Sequence, residues 1–270
     1  MTAAFSPVCD CSTNLARILF RLRRAERVRI DVVRDGAIVR ELLVSQGLGP
    51  GRHGFTWNGT DASGVLAPDG VYHVRLHLAR GRTITLPNAI GLDTKAPVVR
   101  AAKPAYPRVF SPDGDGYSDG VRISYRLSEA GHARLYVDGK LVIRGHAKTT
   151  TGQLVWYGRS HGVPYAPGRY RLVLGAVDLA GNLAQQAPAG TVRLRFVVLS
   201  HRVFRVRPGR RVTVRVSADA HVLSYRLAKR TVRGGRVVSL RAPARAGRYR
   251  LVVTEHGHRA RAVVLVHGGG

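Results

Sequence analysis

The chain has 270 residues and a mass of 29.4 kDa, long enough for two or three hydrophobic cores. Its 44% hydrophobic content argues against wholesale disorder, and no run approaches the roughly 20 apolar residues of a membrane-crossing helix, so an integral membrane protein is not expected. Lysine and arginine total 44 against 16 acidic residues, giving a net charge of +28. Such a field attracts polyanions, whether nucleic acid, acidic cell-wall polymer or anionic lipid. Only 5 of the basic residues are lysines, and the arginines are spread through alternating patterns, a distribution that coding bias alone would also leave.

In chain order, the opening MTAAFSPVCD lacks the basic, apolar and small-residue succession of a secretory signal. Cys9 and Cys11 are too few for a disulfide scaffold or a four-cysteine zinc site. With one residue between them, an internal bridge is expected to be strained. Phe5-Ser6-Pro7 returns as Phe110-Ser111-Pro112, and the offset of 105 residues carries 11 identities over the 28 positions from Phe5 to Val32. Residues 13–26 show helical spacing at Leu15, Ile18, Leu19 and Leu22. The repeat register instead sets Ile18, Phe20 and Leu22 against Ile123, Tyr125 and Leu127, whose period of two marks a strand. The register therefore predicts a strand here.

Asp35-Gly36 and Asp138-Gly139, at matching places between alternating runs, predict tight hairpins. Each of the first two units then has a tryptophan, Trp57 or Trp156. All three units end on a Gly-x-Tyr landmark, at Gly70-Val71-Tyr72, Gly168-Arg169-Tyr170 and Gly247-Arg248-Tyr249. Boundaries near 92–97 and 198–200 divide the chain into units 1–95, 96–198 and 199–270. Short alternating strands with frequent turn signals predict an all-β protein of tandem antiparallel β-sandwiches.

The most specific local motif is Asp113-Gly114-Asp115-Gly116-Tyr117-Ser118-Asp119. Asp113, Asp115 and Asp119, with the Tyr117 carbonyl, can converge on one calcium ion, which takes six to eight oxygen ligands. The EF-hand glutamate is missing, because position twelve is Ser124. The alternative is a loop stitched by Asx-turn hydrogen bonds with no metal. Asn58 to Gly64 and Asp178 to Asn182 read as turns braced by their own side chains. The eleven histidines are scattered and expected as isolated surface residues; His73 and His77 would stand about 13 Å apart on one strand, and His256 and His258 show no third ligand. No nucleophile elbow, phosphate loop or catalytic acid pair is present, so no enzyme and no small-molecule substrate are expected.

From Ser200 onward the chain has 17 basic residues against Asp219 and Glu255. Alternate arginines, among them Arg205, Arg207, Arg211, Arg215, Arg248 and Arg250, predict a basic sheet face able to bind a phosphate-bearing or other acidic polymer. Tyr225 and Tyr249 fall on the apolar phase, so no base-stacking platform is expected.

Trp57-Asn58-Gly59-Thr60-Asp61-Ala62-Ser63-Gly64 followed by Ala67-Pro68-Asp69-Gly70-Val71-Tyr72 resembles the signature of FlgD-type Ig-like domains. Phe110 to Asp119 is similar to the start of those repeats and of gliding-motility C-terminal domains. Ala176 to Asn182 is similar to the closing strand of bacterial Ig-like domains, and Leu92 to Pro97 to their linkers. The resemblance covers roughly residues 5–198. It implies tandem Ig-like or fibronectin-III-like sandwiches on an exported or cell-surface bacterial protein. The implied role is structural or adhesive, toward a cell-envelope component or another surface protein. Such a location without a signal peptide implies a truncated or misassigned start. Polyanion binding through the third unit is the alternative function, and a flagellar hook-assembly scaffold is a further one.

Overall fold

The computed structural model describes residues 3–268 except residue 219. Among these the chain is nearly all β; the one helical element is a single 3-10 turn at Ala79–Gly81, and no helix is long and apolar enough to cross a membrane. Three separate hydrophobic clusters form along the chain, each enclosed by its own strands. All three units are antiparallel β-sandwiches of Ig-like topology.

In the first unit Ala16–Leu22 pairs with Gly51–Trp57 as one sheet, with Ile18 opposite Phe55. The facing sheet runs in the order Ala3–Phe5, Ile90–Leu92, Gly70–His77, Glu26–Arg34, Ala37–Leu48, and Thr83–Thr85 is added beside Gly70–His77. Residues 16–22 are thus a strand, with Ala16, Ile18 and Leu22 buried, as the repeat register predicted against the local helical spacing. The two Asp-Gly pairs form the expected hairpins. Asp35 and Gly36 have φ of 49° and 84°, and Asp138 and Gly139 have 47° and 79°, the left-handed pair of a type I′ turn.

The second unit repeats this plan, but its strand Val121–Val137 serves both sheets. Residues 121–127 pair with Thr149–Trp156 and Val99–Ala101. Residues 131–137 pair with Gly168–Asp178 and Lys140–Arg144. In the third unit Val198–Leu199, Arg211–Ser217 and Val237–Arg241 make one sheet. Val203–Val206, His258–Val266, Gly247–Glu255, Leu223–Leu227 and Arg230–Gly234 make the other, in that order. Val197 packs in the third core, and Val198 pairs with Ser217.

The repeated landmarks have physical causes. Phe5 packs on Trp57 with ring centroids 5.5 Å apart, and Phe110 on Trp156 at 5.3 Å. Each indole N–H donates to a nearby carbonyl, Thr60 in one unit and Arg159 in the other. The glycine two residues after each tryptophan has positive φ, and a Cβ there would stand 2.9 Å from Pro7 Cγ at Gly59 and 2.9 Å from Pro112 Cγ at Gly158. Phe-Ser-Pro and Trp-x-Gly are therefore two halves of one contact, and the third unit lacks both halves. Tyr72, Tyr170 and Tyr249 each donate a hydroxyl hydrogen bond to the carbonyl four residues upstream, at Pro68, Ala166 and Arg245. This tyrosine corner explains the Gly-x-Tyr landmark in all three units.

Candidate functional site

The loop that follows each Phe-Ser-Pro ends at a joint with the next unit. Both loops are closed by the same backbone bond. Ser6 N–H donates to the Thr13 carbonyl at 3.1 Å, and Ser111 N–H to the Ser118 carbonyl at 3.0 Å, matching positions under the 105-residue offset. Inside that frame the two sequences differ.

In the first loop Cys9 and Cys11 are joined as a disulfide. The loop curves enough to bring their Cα atoms to 5.3 Å, within the usual span of a bridge. The same loop reaches the second unit, where the Thr13 hydroxyl donates to the Ala180 carbonyl at 2.7 Å. That carbonyl sits in a turn held by Asp178, whose Oδ1 accepts the Ala180, Gly181 and Asn182 N–H groups and whose Oδ2 accepts the Asn182 amide. Asn182 also donates to the Asp93 and Lys95 carbonyls of the linker. Asp178 thus braces the turn as its sequence suggested, and through Asn182 it pins the linker too. Glu129 and Asp93 bring carboxylate oxygens to within 4.8 Å of Asp178. Burial raises the Glu129 pKa, and Asp93 and Asp178 add to the rise. A cleft of about 570 Å³ flanks this joint, lined by residues 8–13 together with Thr94, Arg134, Asn182 and Leu183.

In the second loop the three carboxylates take different partners. Asp119 uses both oxygens on the loop, accepting Gly114 N–H at 2.7 Å and Gly116 N–H at 2.8 Å. Asp115 Oδ1 accepts the Tyr117 N–H, and the Tyr117 ring lies edge-on to His221 of the third unit, centroids 4.8 Å apart. Asp113 faces the third unit: its fully buried carboxylate places Oδ2 3.6 Å from His256 Nδ1. Burial raises the Asp113 pKa and Asp115 adds to the rise, while a hydrogen bond from the Asp115 backbone and the charge of His256 oppose it. The group whose ligand atoms converge is Asp113, Asp115 and His256.

Three of the eleven histidines, His221, His256 and His258, meet the preceding unit or its linker at this joint. His258 stacks on Phe196 of the linker, centroids 3.4 Å apart. Beside it, the Arg195 guanidinium donates to Ser217 at 2.6 Å. In the first unit His77 is also engaged, its Nε2 2.9 Å from the buried Asp31, which takes Arg29 on its other oxygen.

The arginines named from the sequence separate onto two faces. Arg205, Arg248 and Arg250 point outward from the five-stranded sheet of the third unit, because their neighbours Phe204 and Leu251 are buried and Tyr249 is partly so. Cross-strand pairing adds Arg226, Arg233, Arg259 and Arg261 to the same face. None of the outward positions on these paired strands is Asp or Glu. Arg211 and Arg215 lie instead on the opposite sheet, where Arg211 pairs with Arg241. Arg207 is exposed in the connection after Val203–Val206. A period of two tells which way a side chain points from its strand but not which sheet that strand joins, so the single face expected from sequence is two.

No protein-family model matches the chain, and no curated protein does. Similar solved structures include fibronectin(III)-like modules of Clostridium thermocellum CbhA. That match has 14% identity and a TM-score of 0.37, and covers 72% of this chain and 88% of that one. A bacterial ice-binding adhesin studied for host cell surface retention matches with 13% identity and a TM-score of 0.32, over 98% of this chain and 93% of that one. An I-band fragment of titin matches with 13% identity and a TM-score of 0.31, over 100% of this chain and 96% of that one. At such identities and scores the assignment of the fold rests on the strand pairing itself, and no partner or activity follows from the likeness.

Proposed function

We propose that this chain is a non-enzymatic series of Ig-like units, exported to a bacterial cell surface, that acts as a spacer and docking module toward an envelope component or another surface protein. The observation that carries the reading is the pair of joints: each of the first two units sends the same loop, closed by the same backbone bond, onto the unit after it. Units joined this way hold their neighbours in a set order, which suits a strut. The Cys9–Cys11 bridge supports an oxidising location, where disulfides persist.

The arginine face of the third unit favours a second reading, polyanion binding, in which Arg205, Arg226, Arg248, Arg250 and Arg261 contact phosphate or carboxylate groups. One experiment separates the two. The full chain is bound to isolated bacterial envelope and to random duplex DNA over a salt series. Envelope binding that persists at high salt supports the docking module. Binding that fades on both targets with the same steep salt dependence supports the polyanion reading through counterion release. In that case Arg250→Gln should weaken both by a similar factor and lower the salt slope by about one. Failure to bind either target at low salt would overturn both.

A further inference from the structure

At the second joint, three potential ligands from two units face one another. Asp113 and Asp115 come from the loop of the second unit, and His256 comes from the hairpin end of the third; their ligand atoms lie within 4.8 Å of one another. The placement of each is fixed. Asp115 and Asp113 sit in Asx turns, on the Tyr117 and Asp115 N–H groups. His256 occupies a two-residue turn with Gly257, with φ of 34° and 85°, closed by the pairing of Glu255 with His258.

A separate observation points into this gap. The Asp113 side chain has no exposed surface, and its Oδ2 accepts no hydrogen bond. An ionised oxygen held out of water without a donor is costly. It lies 3.6 Å from His256 Nδ1, whose side chain is half exposed. The oxygen therefore looks toward a position reachable from solvent and bounded by an imidazole and a second carboxylate.

We propose that Asp113, Asp115 and His256 bind a divalent d-block cation of the zinc class, shared between the second and third units. Zinc takes imidazole nitrogen and carboxylate oxygen at about 2.0–2.2 Å in a tetrahedron, which sets ligand atoms about 3.3–3.6 Å apart. The Asp113–His256 separation of 3.6 Å already matches, and the other pairs, within 4.8 Å, would close by at most about 1 Å on binding. Calcium suits the group poorly. It seeks six to eight oxygens, whereas one donor here is nitrogen and Asp119 is occupied by Gly114 and Gly116 N–H groups. Mixed nitrogen and oxygen donors favour the later first-row metals. The bound ion would compensate the buried Asp113 charge and tie two units with one set of bonds. Binding follows from the ligand geometry alone; the consequence for stiffness rests on the reading of the chain as a strut.

The test uses the full chain, stripped of metal and titrated with zinc chloride and, separately, calcium chloride, with heat as the readout. Cobalt(II) absorbance then reports ligand geometry. Asp113→Asn keeps the Asx turn and His256→Asn tolerates the left-handed backbone, so both variants should retain the wild-type circular dichroism; His267→Asn is the distant control. The expected result is one zinc equivalent lost, or weakened at least tenfold, in each of the two joint variants and kept in the control, with calcium silent. Equal zinc binding in wild type and both joint variants would overturn the site, and so would a response to calcium alone. Spin labels in the second and third units report the mechanical part. Zinc should narrow their distance distribution, and binding without narrowing would leave the site standing and overturn its role in stiffness.

Discussion

At the first joint the interunit loop is closed by a covalent bridge between Cys9 and Cys11 and gives a neutral hydroxyl, that of Thr13, to the next unit. At the second joint a loop of the same length is closed by Asp115 and Asp119 on its own amides, and what it turns toward the next unit is the Asp113 carboxylate. The outer frame is common: the Ser-to-Thr or Ser-to-Ser backbone bond, and a proline resting on a positive-φ glycine. Because that frame alone sets the path of the chain, the positions inside it are free to change chemistry. Cys9 and Cys11 stand where Gly114 and Gly116 stand in the other loop. One joint thereby carries a reducible bridge, the other a buried carboxylate beside an imidazole.

The largest expected effect is on the receiving side of the first joint. Asp178→Ala removes the acceptor for three backbone N–H groups and the Asn182 amide, and should cost about 3 kcal/mol on denaturant unfolding. A loss below about 1 kcal/mol would mean that the turn holds its shape without its brace.

Reducing the disulfide comes next. The loop it closes is short, so the loss should be on the order of 1–2 kcal/mol. Hydrogen exchange should quicken across residues 6–13 and stay unchanged across 111–118. Equal quickening in both loops would break the contrast between the joints.

The smallest effect concerns Glu129, whose pKa is raised by burial and by Asp93 and Asp178. The folded chain then keeps this proton to a higher pH than the unfolded chain does, so stability falls as pH rises from the unfolded value through the folded one. Glu129→Gln should give a small rise in Tm at neutral pH that vanishes once the medium is acid enough to protonate Glu129 in both states. A constant offset at all pH values would assign the effect to packing instead of charge.

How much of this was legible before the structure follows from the range of each interaction. The coupling of Phe5 to Trp57 and of Phe110 to Trp156 left a trace as repeated words in the sequence, because the same contact is made twice. The strand at Ala16–Leu22 was recoverable for the same reason, since its register was copied from a clearer partner. That Cys9 and Cys11 are joined was not legible, because residue spacing says nothing of how sharply a loop bends. The contacts of His221, His256 and His258 were not legible because their partners Tyr117, Asp113 and Phe196 lie far away in sequence and belong to the unit or linker before them. No local periodicity encodes such a contact.

In each sandwich the last strand also lies beside, and parallel to, a short strand from near the start of the unit. Ala3–Phe5 pairs with Ile90–Leu92, Val109–Phe110 with Arg193 and Leu194, and Val203–Val206 with the end of His258–Val266. The chain enters the first unit along one of these strands and leaves along the other; in the second and third units Val99–Ala101 and Val198–Leu199 come first, and the parallel pair follows. Tension applied to the ends therefore slides the two strands past each other and loads their rungs together. Peeling would instead break the rungs one at a time. In single-molecule pulling the chain should lengthen in abrupt, unit-sized steps, and a smooth extension would show that these short ladders bear no load.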